Sequence, residues 1–127
     1  MAEFLSEDHM VAGTAALNED AGFAAAMNGV DLSLQFNVTE APGGEIDYYL
    51  TVGDGEAVLE LGTLEDADAS VGSDYDTAAA IAKGELNVQM AFMTGKIKVG
   101  GNMAKVMMYQ GLINEFARVS STLDLDF

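Results

Sequence analysis

The sequence predicts an α+β domain: a five-stranded, mainly antiparallel sheet with one face covered by helices. Three observations lead there. From residue 31 to residue 71, apolar and polar side chains alternate at period two across several turn signals. Capped segments of helical character lie on both sides of that region. Half of the 127 residues are hydrophobic, which supports one core in spite of a net charge of −16.

Taken in order, Ser6 followed by Glu7 and Asp8 starts a helix, because the hydroxyl can cap it and the acids suit its dipole. That helix is expected to reach about Leu17, and Asn18-Glu19-Asp20 opens a second one that Gly29 ends. Leu32, Leu34, Phe36 and Val38 then share one face of a strand, with Ser33, Gln35, Asn37 and Thr39 on the other. Ala41-Pro42-Gly43-Gly44 is a turn into Ile46, Tyr48, Leu50 and Val52, and Gly53-Asp54-Gly55 turns again into Ala57, Leu59 and Leu61. Ala67, Ala69 and Val71 mark a weaker fourth strand, and the short connections predict an antiparallel meander through all four. Asp74 caps a helix that breaks at Gly84, Leu86 to Met93 has helical spacing, and Ile97 and Val99 make the fifth strand. Asn102 caps one long last helix, to about Arg118. No linker interrupts the order, so residues 1–127 read as one domain.

All five basic residues follow position 82, whereas seventeen of the twenty-one acids precede it. Such a surface repels phosphate backbones and anionic bilayers, so neither nucleic acid nor stable membrane association is expected. There is no cysteine, which excludes thiol chemistry and disulfides. No secretory signal, spanning segment or peroxisomal tripeptide is evident, and a cytoplasmic location is expected.

Catalytic and metal chemistry find little footing. His9 is the one histidine, has no second ligand to share a metal, and reads as a surface residue. Asp66, Asp68 and Ser70 imitate a calcium loop, but Val71 and Thr77 stand where glycine and glutamate are needed. The acids read as a solvated shell, with Glu56, Glu60 and Asp68 on the wet face. Lys96 and Lys98 alternate with Ile97 and Val99, so they also project to the wet face and guard a sheet edge. Lys105 is the cation best placed to meet an anionic head group. No catalytic residue, metal or cofactor is expected.

The last helix carries two stripes. Val106, Tyr109, Ile113 and Phe116, with Leu112, form a core stripe; Met103, Met107, Gln110 and Asn114 form a flank. Methionine suits walls that must fit irregular shapes, and the two amides could hold the polar end of an oily ligand. On spacing alone, a methionine-softened core with Gln110 and Asn114 reaching solvent is the better reading.

The run Gln89-Met90-Ala91-Phe92-Met93-Thr94-Gly95-Lys96-Ile97-Lys98-Val99-Gly100-Gly101-Asn102-Met103, preceded by Gly84-Glu85-Leu86-Asn87, resembles the signature of the sterol carrier protein type-two family. The Pro42-Gly43-Gly44 turn, the hairpin, the Ala67–Val71 strand and the helix at Asp74 follow the same order, so the likeness covers about residues 20–117. The resemblance implies an apolar tunnel between sheet and helices that holds fatty acids, acyl-CoA or sterols. It places the lining on Gln89, Phe92, Met93, Ile97, Val99, Met103 and Met107, with Gln110 added from the flank. The expected function is non-catalytic lipid binding or transfer. An accessory module serving a partner enzyme of fatty-acyl, steroid or quinone metabolism is the alternative.

Overall fold

A computed structural model describes residues 2–127. The elements run β1 (Ala2–Glu3), α1 (Glu7–Glu19), α2 (Ala21–Ala26), β2 (Leu32–Ala41), β3 (Gly44–Gly53), β4 (Glu56–Leu61), β5 (Ala69–Asp74), α3 (Tyr75–Ala82), α4 (Val88–Met93), β6 (Ile97–Gly101), α5 (Met103–Met108), α6 (Gln110–Ser120) and β7 (Leu125–Asp126). The fold is α+β, as the patterning predicts. Expected caps do form: Ser6, Asp20, Asp74 and Asn102 each accept a backbone N–H of the following turn.

The main sheet has the order β4-β3-β2-β5-β6. Three of its pairings are antiparallel, but β5 lies parallel to β2, with Leu34 beside Ala69 and Phe36 beside Val71. The meander therefore stops at β4 and does not include the fourth strand. The segment 62–68 carries the chain back past β3 and β2, and polar side chains of the wet face hold it there. Gln35 donates to the carbonyls of Tyr48 and Gly62 at 3.0 Å each, and its own oxygen accepts from the Leu64 N–H. Period-two patterning records which face a strand buries; it does not record which neighbour the strand pairs with.

Asp68 ends this crossing and is not the free surface acid the sequence suggests. Its carboxylate accepts from the Ser33 N–H at 2.9 Å and from Lys105 Nζ at 3.0 Å, while its N–H donates to Ser33 Oγ. Burial pushes the carboxyl up, but the hydrogen bonds from Lys105 and Ser33 outweigh it and hold the group below the usual carboxylate range. Lys105 is thereby committed to the fold and is not a free head-group cation. Lys96 and Lys98 are exposed, as expected, and neither makes an ion pair among the described residues.

The opposite sheet edge is closed by a helix. Thr14 and Asn18, one turn apart on α1, bond the outward backbone groups of Leu59 and Ala57 on β4. Two side chains thus stand in for a missing strand, which removes an edge that could recruit another chain. Arg118 on α6 reaches Asp20 at the α2 cap and Glu115 on its own helix, and Phe23 and Leu112 are buried in the core.

Gly101 ends β6 in a place only glycine fits. Its φ is +94°, and a Cβ would lie 2.7 Å from the Asp68 carbonyl oxygen and 2.9 Å from Ala69 Cα. Gly101→Ala should cost roughly 3 kcal/mol in urea unfolding, since backbone strain and overlap act together. Gly43→Ala has a similar φ of +93° in open space and should cost only about 1 kcal/mol. Equal costs would show that the approach of β6 to Asp68 is not tight.

Candidate functional site

The apolar sheet face is covered but not filled. Over it lies a cavity of about 390 Å3, roofed by α3, α4, α5 and α6. Every strand of the main sheet contributes to its floor: Leu59 from β4, Tyr48 from β3, Leu34 and Phe36 from β2, Val71 and Ser73 from β5, Ile97 and Val99 from β6. Four inter-strand steps make that floor roughly 19 Å across. Phe36 and Tyr48 stack with ring centres 4.7 Å apart at its middle, and burial pushes the Tyr48 phenol well above its ordinary value.

The roof is thin for a local reason. Among the described residues α4 buries only Ala91, and α5 buries none. Each is six residues long, too short to lay down a broad apolar stripe. The single long last helix that the sequence predicts is in fact interrupted at Tyr109, whose ψ of 27° leaves the helical range. That break lets the core stripe of α6 pack on the sheet while α5 stands over β5 and β6.

All eight residues singled out from the sequence, Gln89, Phe92, Met93, Ile97, Val99, Met103, Met107 and Gln110, line this one cavity. They differ in burial. Ile97 is buried and Val99 half-buried on the floor, whereas Met93 is 80% exposed and Met107 70% exposed. Phe92, Met103, Gln89 and Gln110 are also exposed, so these side chains form an open mouth rather than a sealed wall. Asn114 stands beside them, and the amides of Gln89, Gln110 and Asn114 give the mouth its polar groups. A shallower polar groove lined by Asn87, Gln89, Asn114, Arg118 and Ser121 continues from it.

Sequence reasoning missed the closed end. There Phe4, His9, Leu34 and Leu59 meet, all buried. His9 is 6% exposed, not a surface residue. The β1–β7 pairing brings both chain ends together, and Phe4 packs on His9, Tyr75 and Phe127. The Leu5 N–H donates to His9 Nδ1 at 2.9 Å, and burial lowers the imidazole pKa to about 4. One signal was available: Phe4-Leu5 precede the Ser6 cap, and such apolar residues often fold back onto the helix they precede.

Comparison with known proteins agrees with this architecture. Residues 14–114 match the model of the SCP-2 sterol transfer family. Sterol carrier protein 2 of Gallus gallus is 31% identical over 78 residues, which are 61% of this chain and 14% of that protein. The chain thus matches only a small part of that relative. A crystal structure of a sterol carrier protein 2 superposes with a TM-score of 0.82 at 22% identity, covering 96% of this chain and all of the other. A solution structure of palmitated SCP2L2 from Aedes aegypti gives 0.61 at 19% identity, covering 84% of this chain and 92% of the other. No helix among the described residues is long and apolar enough to cross a membrane.

The histidine makes the cavity's closed end sensitive to acid. The folded pKa lies below the unfolded one, so between about pH 6.5 and pH 4 the unfolded chain binds a proton that the folded chain refuses. Stability contributed by neutral His9 is complete above that window and falls as pH drops through it, by about 3 kcal/mol in all. His9→Asn removes the titration and keeps an oxygen near the Leu5 N–H. Denaturant unfolding at pH 7 and pH 4 should show a loss about 3 kcal/mol larger in the native protein than in His9→Asn. Parallel losses would mean that water reaches the imidazole freely.

Proposed function

Because the chain belongs to the SCP-2 sterol transfer family, we propose that it is a non-catalytic lipid carrier whose cavity holds one long apolar molecule. The class is that of fatty acids, acyl-CoA, sterols and similar compounds. The observation that carries this reading is an apolar cavity of about 390 Å3 reaching across all five strands. Its volume falls within the range of small-molecule sites, and its length suits an extended chain. The palmitated state of the Aedes aegypti protein lends support from a chain of the same fold.

Energetics favour an occupant. Each methylene removed from water contributes about 0.8 kcal/mol, so ten of them give roughly 8 kcal/mol toward the cost of association. Leaving a closed apolar space of 390 Å3 empty would cost up to about 9 kcal/mol, comparable to the stability of a whole domain. The open mouth lessens that cost by letting the methionines move inward. Met93, Met103 and Met107 change rotamer easily and can follow ligands of different width. Among the described residues the lining offers no pair of acid and base groups in contact, and the proposal assigns no catalytic step.

Native mass spectrometry of freshly purified protein should find a retained lipid mass. After delipidation, added hexadecanoic acid should raise the melting temperature as its concentration rises, as expected of a ligand that binds only the folded state. Ala82→Trp, on the α3 wall of the cavity, should fill part of the space, raise the ligand-free melting temperature and abolish the lipid-dependent rise. A variant that folds and still shows the full rise would place the ligand elsewhere.

A further inference from the structure

His9 is the polar side chain that lines the cavity beside Phe4, and its hydrogen-bond state follows from geometry. The Leu5 N–H donates to Nδ1 at 2.9 Å, so Nδ1 is the acceptor and the neutral ring carries its proton on Nε2. Nothing among the described residues accepts from that Nε2–H, yet no buried side-chain nitrogen there is sealed without a partner. The nitrogen therefore keeps some accessible surface, and His9 is among the residues that line the cavity. Its neighbours there, Phe4, Leu34 and Leu59, offer only carbon side chains. A donor held against carbon at the inner end of an apolar space is costly unless an acceptor meets it.

We propose that the closed end is an oxygen-accepting subsite, in which the His9 Nε2–H donates to an oxygen carried by the end of the ligand that enters first. The oxygen is uncharged. His9 is neutral in this setting, no lysine or arginine among the described residues lines the cavity, and a carboxylate there would be buried without a counter-charge. A hydroxyl or carbonyl meets the donor at no such cost. The ligand class narrows to amphiphiles with an uncharged oxygen at the inner end, as opposed to chains that end in a plain methyl. This inference rests on the lipid-carrier reading and adds polarity to one end of the site.

The single histidine makes the test direct. Delipidated protein of residues 1–127 labelled with 15N is titrated with hexadecanoic acid, 16-hydroxyhexadecanoic acid and cholesterol, following the one imidazole Nε2–H by NMR and affinity by calorimetry. An oxygenated probe should shift that resonance downfield, and hexadecanoic acid should not. The long-chain alcohol and the sterol separate the two sources of such an oxygen, an oxidised chain end and a sterol hydroxyl; whichever moves the resonance names the source. The hydroxylated acid should bind within about threefold of hexadecanoic acid, since the bond to His9 offsets the desolvation of its hydroxyl. In His9→Met, which keeps a weak sulfur acceptor near the Leu5 N–H but has no donor, the ratio of the two affinities should move at least tenfold against the hydroxylated probe. A hydroxylated acid that binds tenfold or more weakly to the native protein, with the same ratio in His9→Met and no shift of the resonance, would overturn the subsite while leaving the lipid-carrier reading intact. Failure of all three probes to bind would overturn both.

Discussion

One constraint governs the molecule: an apolar sheet face five strands wide must be shielded from water by helices that do not fill the space above it. Helices are about 10 Å across, so a floor of roughly 19 Å needs at least two of them side by side. Over β2 to β4 the cover is firm, with α1, α2 and α6 supplying Leu17, Phe23 and Leu112 to the core. Over β5 and β6 it consists of α3 and two six-residue helices that bury almost nothing. The cavity opens where cover is thinnest, and its methionine mouth follows from the same shortage of packing.

Holding so thin a roof over the sheet requires anchors elsewhere, and the polar groups provide them. Asp68 ties the start of β2, the end of the crossing segment and α5 together through Ser33 and Lys105. Gln35 fastens the crossing beneath the wet face, and Thr14 with Asn18 closes the β4 edge. These bonds lie outside the cavity. The wet side of the sheet is therefore latched while the oily side stays adaptable, a division that suits a site whose occupant varies in shape.

The charge of −16 fits the same division. No acid occurs between residues 86 and 114, the stretch that supplies α4, β6, α5 and most of the mouth. Negative charge is thus absent from the mouth of the proposed lipid site, where a carboxylate would bind water that an apolar ligand must displace. Elsewhere acids take part in helix caps at Asp20 and Asp74.

Alternation along β2, β3 and β4, the capping residues and the glycine turns could be read from the chain, because each depends on neighbours within a few residues. The buried face of Leu32, Leu34, Leu50 and Val52 follows from period two alone. The eight candidate residues came from a contiguous motif and a helical stripe, and the fold gathers them around one cavity. Other features needed the tertiary structure. The parallel pairing of β5 with β2, the bond of Asp68 to Lys105 across 37 positions and the break at Tyr109 depend on segments far apart in sequence. So does the fate of His9: Phe4-Leu5 ahead of the Ser6 cap hint at an apolar fold-back, but nothing local shows that Leu59 and Phe127 also gather at that end. Periodicity determined which side of each element is oily. Only long-range packing decided what meets that side, because burial and charge state depend on neighbours in space.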